Sequence, residues 1–287
     1  MQARDRFLAA LRGHPTDRPP FGLWMHFHDH DATPERLAAA TLDFTRRYRP
    51  DFVKHTPTGL YAVEDWGTPI RAFPGQNRPP ERIRPAFDSP AGWRALSPLN
   101  PQTGALGREL RGLMRVRAGL NGDTPLLMTV FSPLTLAYKL TGPRLLDDMR
   151  TAPADLHAGL QTIAATAARY VEAVRVAGAD GLFFAGQLAS AARLSRQAYA
   201  TFGEPYDRVV LEAWGGAGPV ILHLCGADIF FELADRYPVD GVSWDHTASE
   251  PSPAAAPAQT GRALVGGIDR AVFLRGPPCR LRKIRFG

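Results

Sequence analysis

The chain is poor in cysteine, with two among 287 residues, so Cys225 and Cys279 cannot staple a small disulfide framework. It also lacks a long apolar run, and nothing approaches the roughly 20 residues that a membrane span needs. The opening MQARDRFLAALRG reads as an amphipathic helix rather than as a charged region followed by the apolar core of an export signal. A soluble, cytoplasmic protein with no membrane partner is expected. Acid is missing from the last thirteen residues, where Arg275, Arg280, Arg282, Lys283 and Arg285 supply five of the six net positive charges. The rest of the chain carries only +1, and no basic stripe with interleaved aromatics crosses it, which argues against nucleic acid as a partner. No G-x-G-x-x-G fingerprint follows the first apolar run, which weighs against dinucleotide binding.

What is present is 45% hydrophobic content, enough at this length for a large core. A helix over residues 2–12 ends at Gly13, and Pro19-Pro20 leads into the apolar run 21–27, which reads as a first buried strand. Thr33-Pro34-Glu35 starts a helix that reaches Tyr48, and residues 51–55 form a second strand. Residues 68–112 are rich in Pro, Gly and Arg and read as an excursion over one face. Strands are then predicted at 126–131, 181–185, 220–224, 241–244 and 263–265, with helices at 153–178, 196–214 and 228–237. Continuous apolar strands alternating with helices predict a parallel sheet covered by helices. A closed barrel and an open doubly wound sheet both satisfy that pattern.

Several stretches are similar to the uroporphyrinogen decarboxylase superfamily, which includes porphyrinogen carboxy-lyases and zinc-dependent methyltransferases that act with corrinoid proteins. They are the opening Arg6 to Gly13 with Asp17-Arg18-Pro19-Pro20, then Ser132-Pro133-Leu134-Thr135-Leu136-Ala137 with Tyr138 and Gly142. Ala177-Gly178-Ala179-Asp180, Leu194-Ser195, Tyr199, Phe202, Pro205 and Tyr206 follow in order, then Val239 to Asp245 and Gly266-Gly267-Ile268-Asp269. The resemblance implies a (β/α)8 barrel with its site at the C-terminal ends of the strands. It divides the chain into one barrel domain over residues 1–278 and an atypical basic tail over 279–287. Because that tail has neither helical periodicity nor acid, the barrel is expected to lack its last helix and strand. Residues 21–27 and 263–265 would then be open edges, across which a homodimer could pair.

His223 and Cys225 stand two apart at the end of a predicted strand, a spacing that points both side chains to one side, and zinc accepts that pair. In the methyltransferase branch the same motif supplies two zinc ligands, with a third cysteine from the last strand. The plainer alternative is a packed cysteine and a histidine satisfied by a backbone carbonyl. His26, His28 and His30 alternate on or just after the first strand, which places them on one face as substrate-binding candidates or as solvated loop histidines. His26 and His30 fall where the decarboxylases place two carboxylate-gripping arginines. Thr58 stands where those enzymes carry an aspartate, and Gly186, beside Gln187, where they carry a serine. Tyr138 is the substrate-facing residue of that branch that is retained.

Asp245 reads as a general base or as a cap of the next segment. Glu64 is a further site candidate, in the loop after the second strand. The leading expectation is zinc-assisted methyl transfer to a thiol or from a corrinoid-linked substrate, with Tyr138, Asp245 and Glu64 catalytic. Gln187 joins the histidines in binding substrate. A porphyrinogen carboxy-lyase is the alternative, and a metal-dependent hydrolase built on the His-x-His pattern or an inactive binding remnant comes third.

Overall fold

The computed structural model describes residues 1–267. Six strands form one sheet in chain order: β1 (Val53–His55), β2 (Leu126–Phe131), β3 (Gly181–Gly186), β4 (Val220–Leu224), β5 (Gly241–Ser243) and β6 (Ala263–Val265). Every pairing is parallel, and Gly22 adds one parallel bridge to Phe52 beside β1. Consecutive parallel strands joined by helical crossovers are the staves of a (β/α)8 barrel, the expected fold.

The helices are α1 (Ala3–Leu11), α2 (Pro34–Tyr48), α3 (Tyr61–Glu64), α4 (Ala91–Ala95), α5 (Gly104–Gly119), α6 (Pro133–Thr141), α7 (Arg144–Thr151), α8 (Pro153–Val176), α9 (Arg196–Phe202), α10 (Glu204–Trp214) and α11 (Leu233–Arg236). Among the described residues, none is long and apolar enough to cross a membrane.

Strand alternation sorts the apolar side chains into two layers. Val53, Met128, Val130, Phe184, Leu222 and Val242 belong to the main core, which the covering helices share. Phe52, Leu127, Phe183 and Ile221 point the other way and meet Phe7, Leu8 and Leu11 of α1. Phe7 packs on Phe52 with ring centroids 4.8 Å apart, so α1 stoppers the end of the barrel opposite the site. Charge fixes that stopper. Asp51, 2% exposed, accepts from Arg6 Nη1 at 2.7 Å, from both terminal nitrogens of Arg18 at 2.6 and 2.9 Å, and from the Phe21 amide at 2.9 Å. Arg6 and Arg18, two residues of the opening motif, are therefore the arms of one buried ion cluster.

Several boundaries differ from expectation for identifiable reasons. Residues 21–27 are not a buried strand: beyond the Gly22 bridge they are irregular, with Trp24 and Met25 38% and 43% exposed. Among the described residues the short β1 is their one strand neighbour. The stretch 68–112 is no plain excursion, since it holds α4 and most of α5. Gly107 and Gly112 weaken the helical signal of α5, yet Gly107 packs so closely that an added Cβ would lie 2.3 Å from the Gln102 carbonyl oxygen.

The helix expected over 196–214 breaks at Gly203 into α9 and α10, with Pro205 in the first turn of the second. Of 228–237 only α11 is helical. Gly226 and Asp228 take left-handed φ of 94° and 51°, and Ile229 then bridges Ser190 instead of starting a helix. Strand bounds shrink to Val53–His55 and Gly241–Ser243. Ile268-Asp269, the tail 279–287 with Cys279, and any closing strand lie outside the described residues.

Candidate active site

His223 lies on β4 on the same side as Ile221, so its ring enters the barrel above the inner apolar layer. The ring sits 5.1 Å from that of Phe183, and Nδ1 is 3.3 Å from Ser243 Oγ on the next strand. Burial, and then the charge of Lys54, push this imidazole down to about 4, so it is neutral at physiological pH. The Asp245 carboxylate acts the opposite way, which puts Asp245 within electrostatic reach of His223. Asp245 also caps its own turn, accepting from the Thr247 amide at 3.0 Å and hydroxyl at 2.6 Å.

Cys225, one residue past β4, is an exposed free thiol. It lies within electrostatic reach of Lys139 of α6, whose ammonium is 4.4 Å from the Phe131 ring centre and is pushed down to about 8, chiefly by burial. His26 stacks on His28 with centroids 5.0 Å apart and planes within 7°. Desolvation first, then the charges of Lys54, His28 and Lys139, lower the His26 pKa. His26 and His223 thus lie within electrostatic reach of Lys54, and Lys139 within reach of His26 and Cys225, around the C-terminal ends of the strands. Beside them a cleft of about 410 Å³ opens between the loops that follow β4 and β5, lined by Asp228, His246, Ser249 and Glu250 among others.

The other candidates are placed differently. His28 turns to Asp31, with Nδ1 3.5 Å from Oδ2. His30 is exposed, and its amide closes a turn onto Phe27 O at 2.7 Å. Glu64 is held by Arg108 through both carboxylate oxygens, at 2.7 and 2.9 Å. Tyr138 is half-buried against the main core, and its carbonyl accepts from Arg82 at 2.8 Å. The Gln187 amide donates to Thr135 Oγ1 at 3.0 Å, which orders the loop after β3. Thr58 is buried and supplies no charge.

The donor chemistry at the end of β4 suits zinc, with a neutral imidazole and a free thiol. Among the described residues, however, no three His, Cys, Asp or Glu side chains gather as a metal site. Lys54 and Lys139 are the site residues that sequence reasoning missed. The available signal was a lysine inside the buried run Phe52-Val53-Lys54-His55, a charge where a strand should be apolar.

The model of the uroporphyrinogen decarboxylase (URO-D) family matches residues 2–285. The chain belongs to that family. No curated protein sequence matches it. Among solved structures, it resembles a methyltransferase from Methanosarcina mazei with a TM-score of 0.74 and 20% identity, over 86% of this chain and 77% of that one. A B12-independent methionine synthase from Shewanella sp. W3-18-1, in complex with selenomethionine, gives a TM-score of 0.56 and 13% identity, over 83% and 69% of the two chains. At such identities these likenesses establish the shared fold.

Proposed function

We propose that this family member transfers a methyl group from a corrinoid-linked donor to a small-molecule thiol at the mouth of the barrel, forming a methyl thioether and releasing the reduced corrinoid. The pairing at the end of β4 carries this reading: an inward imidazole tied to Ser243, and a free thiol one residue beyond the strand. The first segment offers His26 and His30 where a decarboxylase would need permanent cations. A neutral imidazole gives a carboxylate neither a fork nor a fixed charge. The two structural relatives, a methyltransferase and a methionine synthase, lean the same way.

In such a reaction Ser243 orients the His223 ring through Nδ1 and leaves Nε2 to face the mouth. The inner layer of Phe183, Ile221 and Leu127 closes the floor to water. Asp245, within electrostatic reach of His223, favours any positive charge that builds on that ring. A zinc ion held by His223 and Cys225, with a further donor, would supply activation of a thiol by stripping its proton.

The test is demethylation of methylcobalamin by 2-mercaptoethanol in the presence of zinc, followed by the loss of the methylcobalamin absorbance. Turnover that falls at least tenfold in Cys225→Ser supports the reading. No turnover above the protein-free rate rejects it, and carbon dioxide release from uroporphyrinogen would favour the second reading, a porphyrinogen carboxy-lyase, on which the family match bears.

A further inference from the structure

We propose that the cleft between the loops following β4 and β5 is a subsite for an ammonium group, and that the small-molecule thiol handled beside it therefore carries a primary amine. The second half rests on the transfer reading above; the subsite itself stands on the cleft alone.

The two walls of the cleft are sewn together. β4 ends at Leu224, and the chain turns through left-handed φ of 94° at Gly226 and 51° at Asp228. Ile229 then bridges Ser190 and donates its amide to Ser249 Oγ at 3.1 Å, which joins this loop to the one that follows β5. The second loop is folded onto Asp245, whose carbonyl accepts from the Ala248 and Ser249 amides at 3.0 and 3.1 Å. Asp228 and Glu250 are the chain neighbours of Ile229 and Ser249. The seam therefore brings two carboxylates to one opening, a cleft of about 410 Å³ that His246 also lines. Such a volume suits a small organic ligand.

The lining sets the charge of that ligand. It contains two carboxylates and neither Lys nor Arg. Among the described residues the Asp228 side chain makes no ion pair or hydrogen bond. Glu250 accepts from the Ser252 amide through Oε2 at 2.7 Å, which leaves Oε1. His246 Nδ1 is shielded from solvent and has no partner, and in the tautomer protonated on Nε2 it is an acceptor. What the cleft lacks is a donor. An ammonium brings three N–H donors and one positive charge, matching the three acceptor groups. A metal ion suits the lining less, because among the described residues no three such side chains gather as ligands. An anion would meet two like charges. Cys225 precedes Asp228 by three residues and Asp245 adjoins His246, so the cleft borders the strand ends where the thiol is placed.

The experiment titrates the whole chain with ethanolamine, an amine without a thiol, by saturation-transfer NMR at constant ionic strength, with ethylene glycol as the uncharged comparison. Saturable ethanolamine binding is expected, at least tenfold tighter than that of ethylene glycol. It should weaken at least threefold in Asp228→Asn and in Glu250→Gln and stay unchanged in Glu172→Gln on α8. Asn tolerates the left-handed φ at 228, and Gln keeps an acceptor for Ser252, so both variants retain their turns. In the methylcobalamin assay the preference for cysteamine over 2-mercaptoethanol, as a ratio of kcat/KM, should fall at least threefold in the same two variants. No saturable ethanolamine binding, or equal affinity in the wild type and both variants, overturns the subsite even if 2-mercaptoethanol is methylated. Ethanolamine binding that weakens in both variants, with no turnover of any thiol, supports the subsite and rejects the transfer reading instead. An unchanged cysteamine preference in variants that bind ethanolamine more weakly overturns the assignment of the amine to the thiol.

Discussion

Glu64 and Arg108 form a two-point ion pair that ties α3 to α5, with Nη2 2.7 Å from Oε1 and Nη1 2.9 Å from Oε2. The same guanidinium reaches Glu109 through Nε at 3.0 Å. Glu64 is therefore a fastening between helices and is not free to act as a catalytic acid or base. Glu64→Gln should lower stability by about 1 kcal/mol, since the pair is partly exposed, and leave methyl transfer at the mouth unaltered. Urea denaturation and the methylcobalamin assay check this; unchanged stability with lost turnover would return Glu64 to the site.

Ser243 acts on His223 through Nδ1 across adjacent strands. Ser243→Ala should free the ring to rotate and weaken zinc affinity about tenfold, the usual size of such an effect, with little change in secondary structure. Competition with a chromophoric chelator measures it. Equal affinity in the two proteins would mean that His223 does not hold zinc through an oriented ring.

His55 is fully buried, both ring nitrogens lack partners, and burial pushes it down to about 4. Its folded pKa lies below the ordinary 6.5, so the neutral ring is the form the fold accepts. The associated stability is present above pH 6.5 and is lost as pH falls through about 4. His55→Leu should therefore match or exceed wild-type stability at pH 7 by about 1 kcal/mol, with the advantage widening in acid. Melting curves across that range decide it, and a variant that is less stable at every pH would show a partner for the imidazole.

Phe7 joins α1 to the inner layer while only 2% exposed. Phe7→Ala should lower stability by about 3 to 5 kcal/mol, as large-to-small changes in a tight core do. A loss below about 1 kcal/mol by chemical denaturation would show that α1 is not a true stopper.

The later strands were legible because β2, β3 and β4 are buried on both faces, and a strand of that kind is apolar throughout. Residues 21–27 looked the same in sequence, yet form no regular strand, because apolarity does not reveal whether a neighbour is there to pair with. The α5 helix was obscured by its glycines, and the close packing of Gly107 shows only when the Gln102 carbonyl is seen beside it. At the site, the inward side of His223 could be read from strand period, whereas Cys225 lies one residue past the strand, where that period ends. Glu64 carried the right chemistry for a site but is held by Arg108, which lies 44 residues away in the chain. Lys54 went unnoticed because its effect on His26 and His223 depends on three-dimensional neighbours that no local pattern encodes.

The α1 stopper has a kinetic consequence. Among the described residues, closure at that end leaves the mouth as the doorway, so whatever reacts above Phe183 leaves by the route its successor uses to arrive. Two bulky reactants cannot queue at separate entrances; they take turns. Product should then compete with substrate for the same opening, and crowding by either reactant should slow the other's admission.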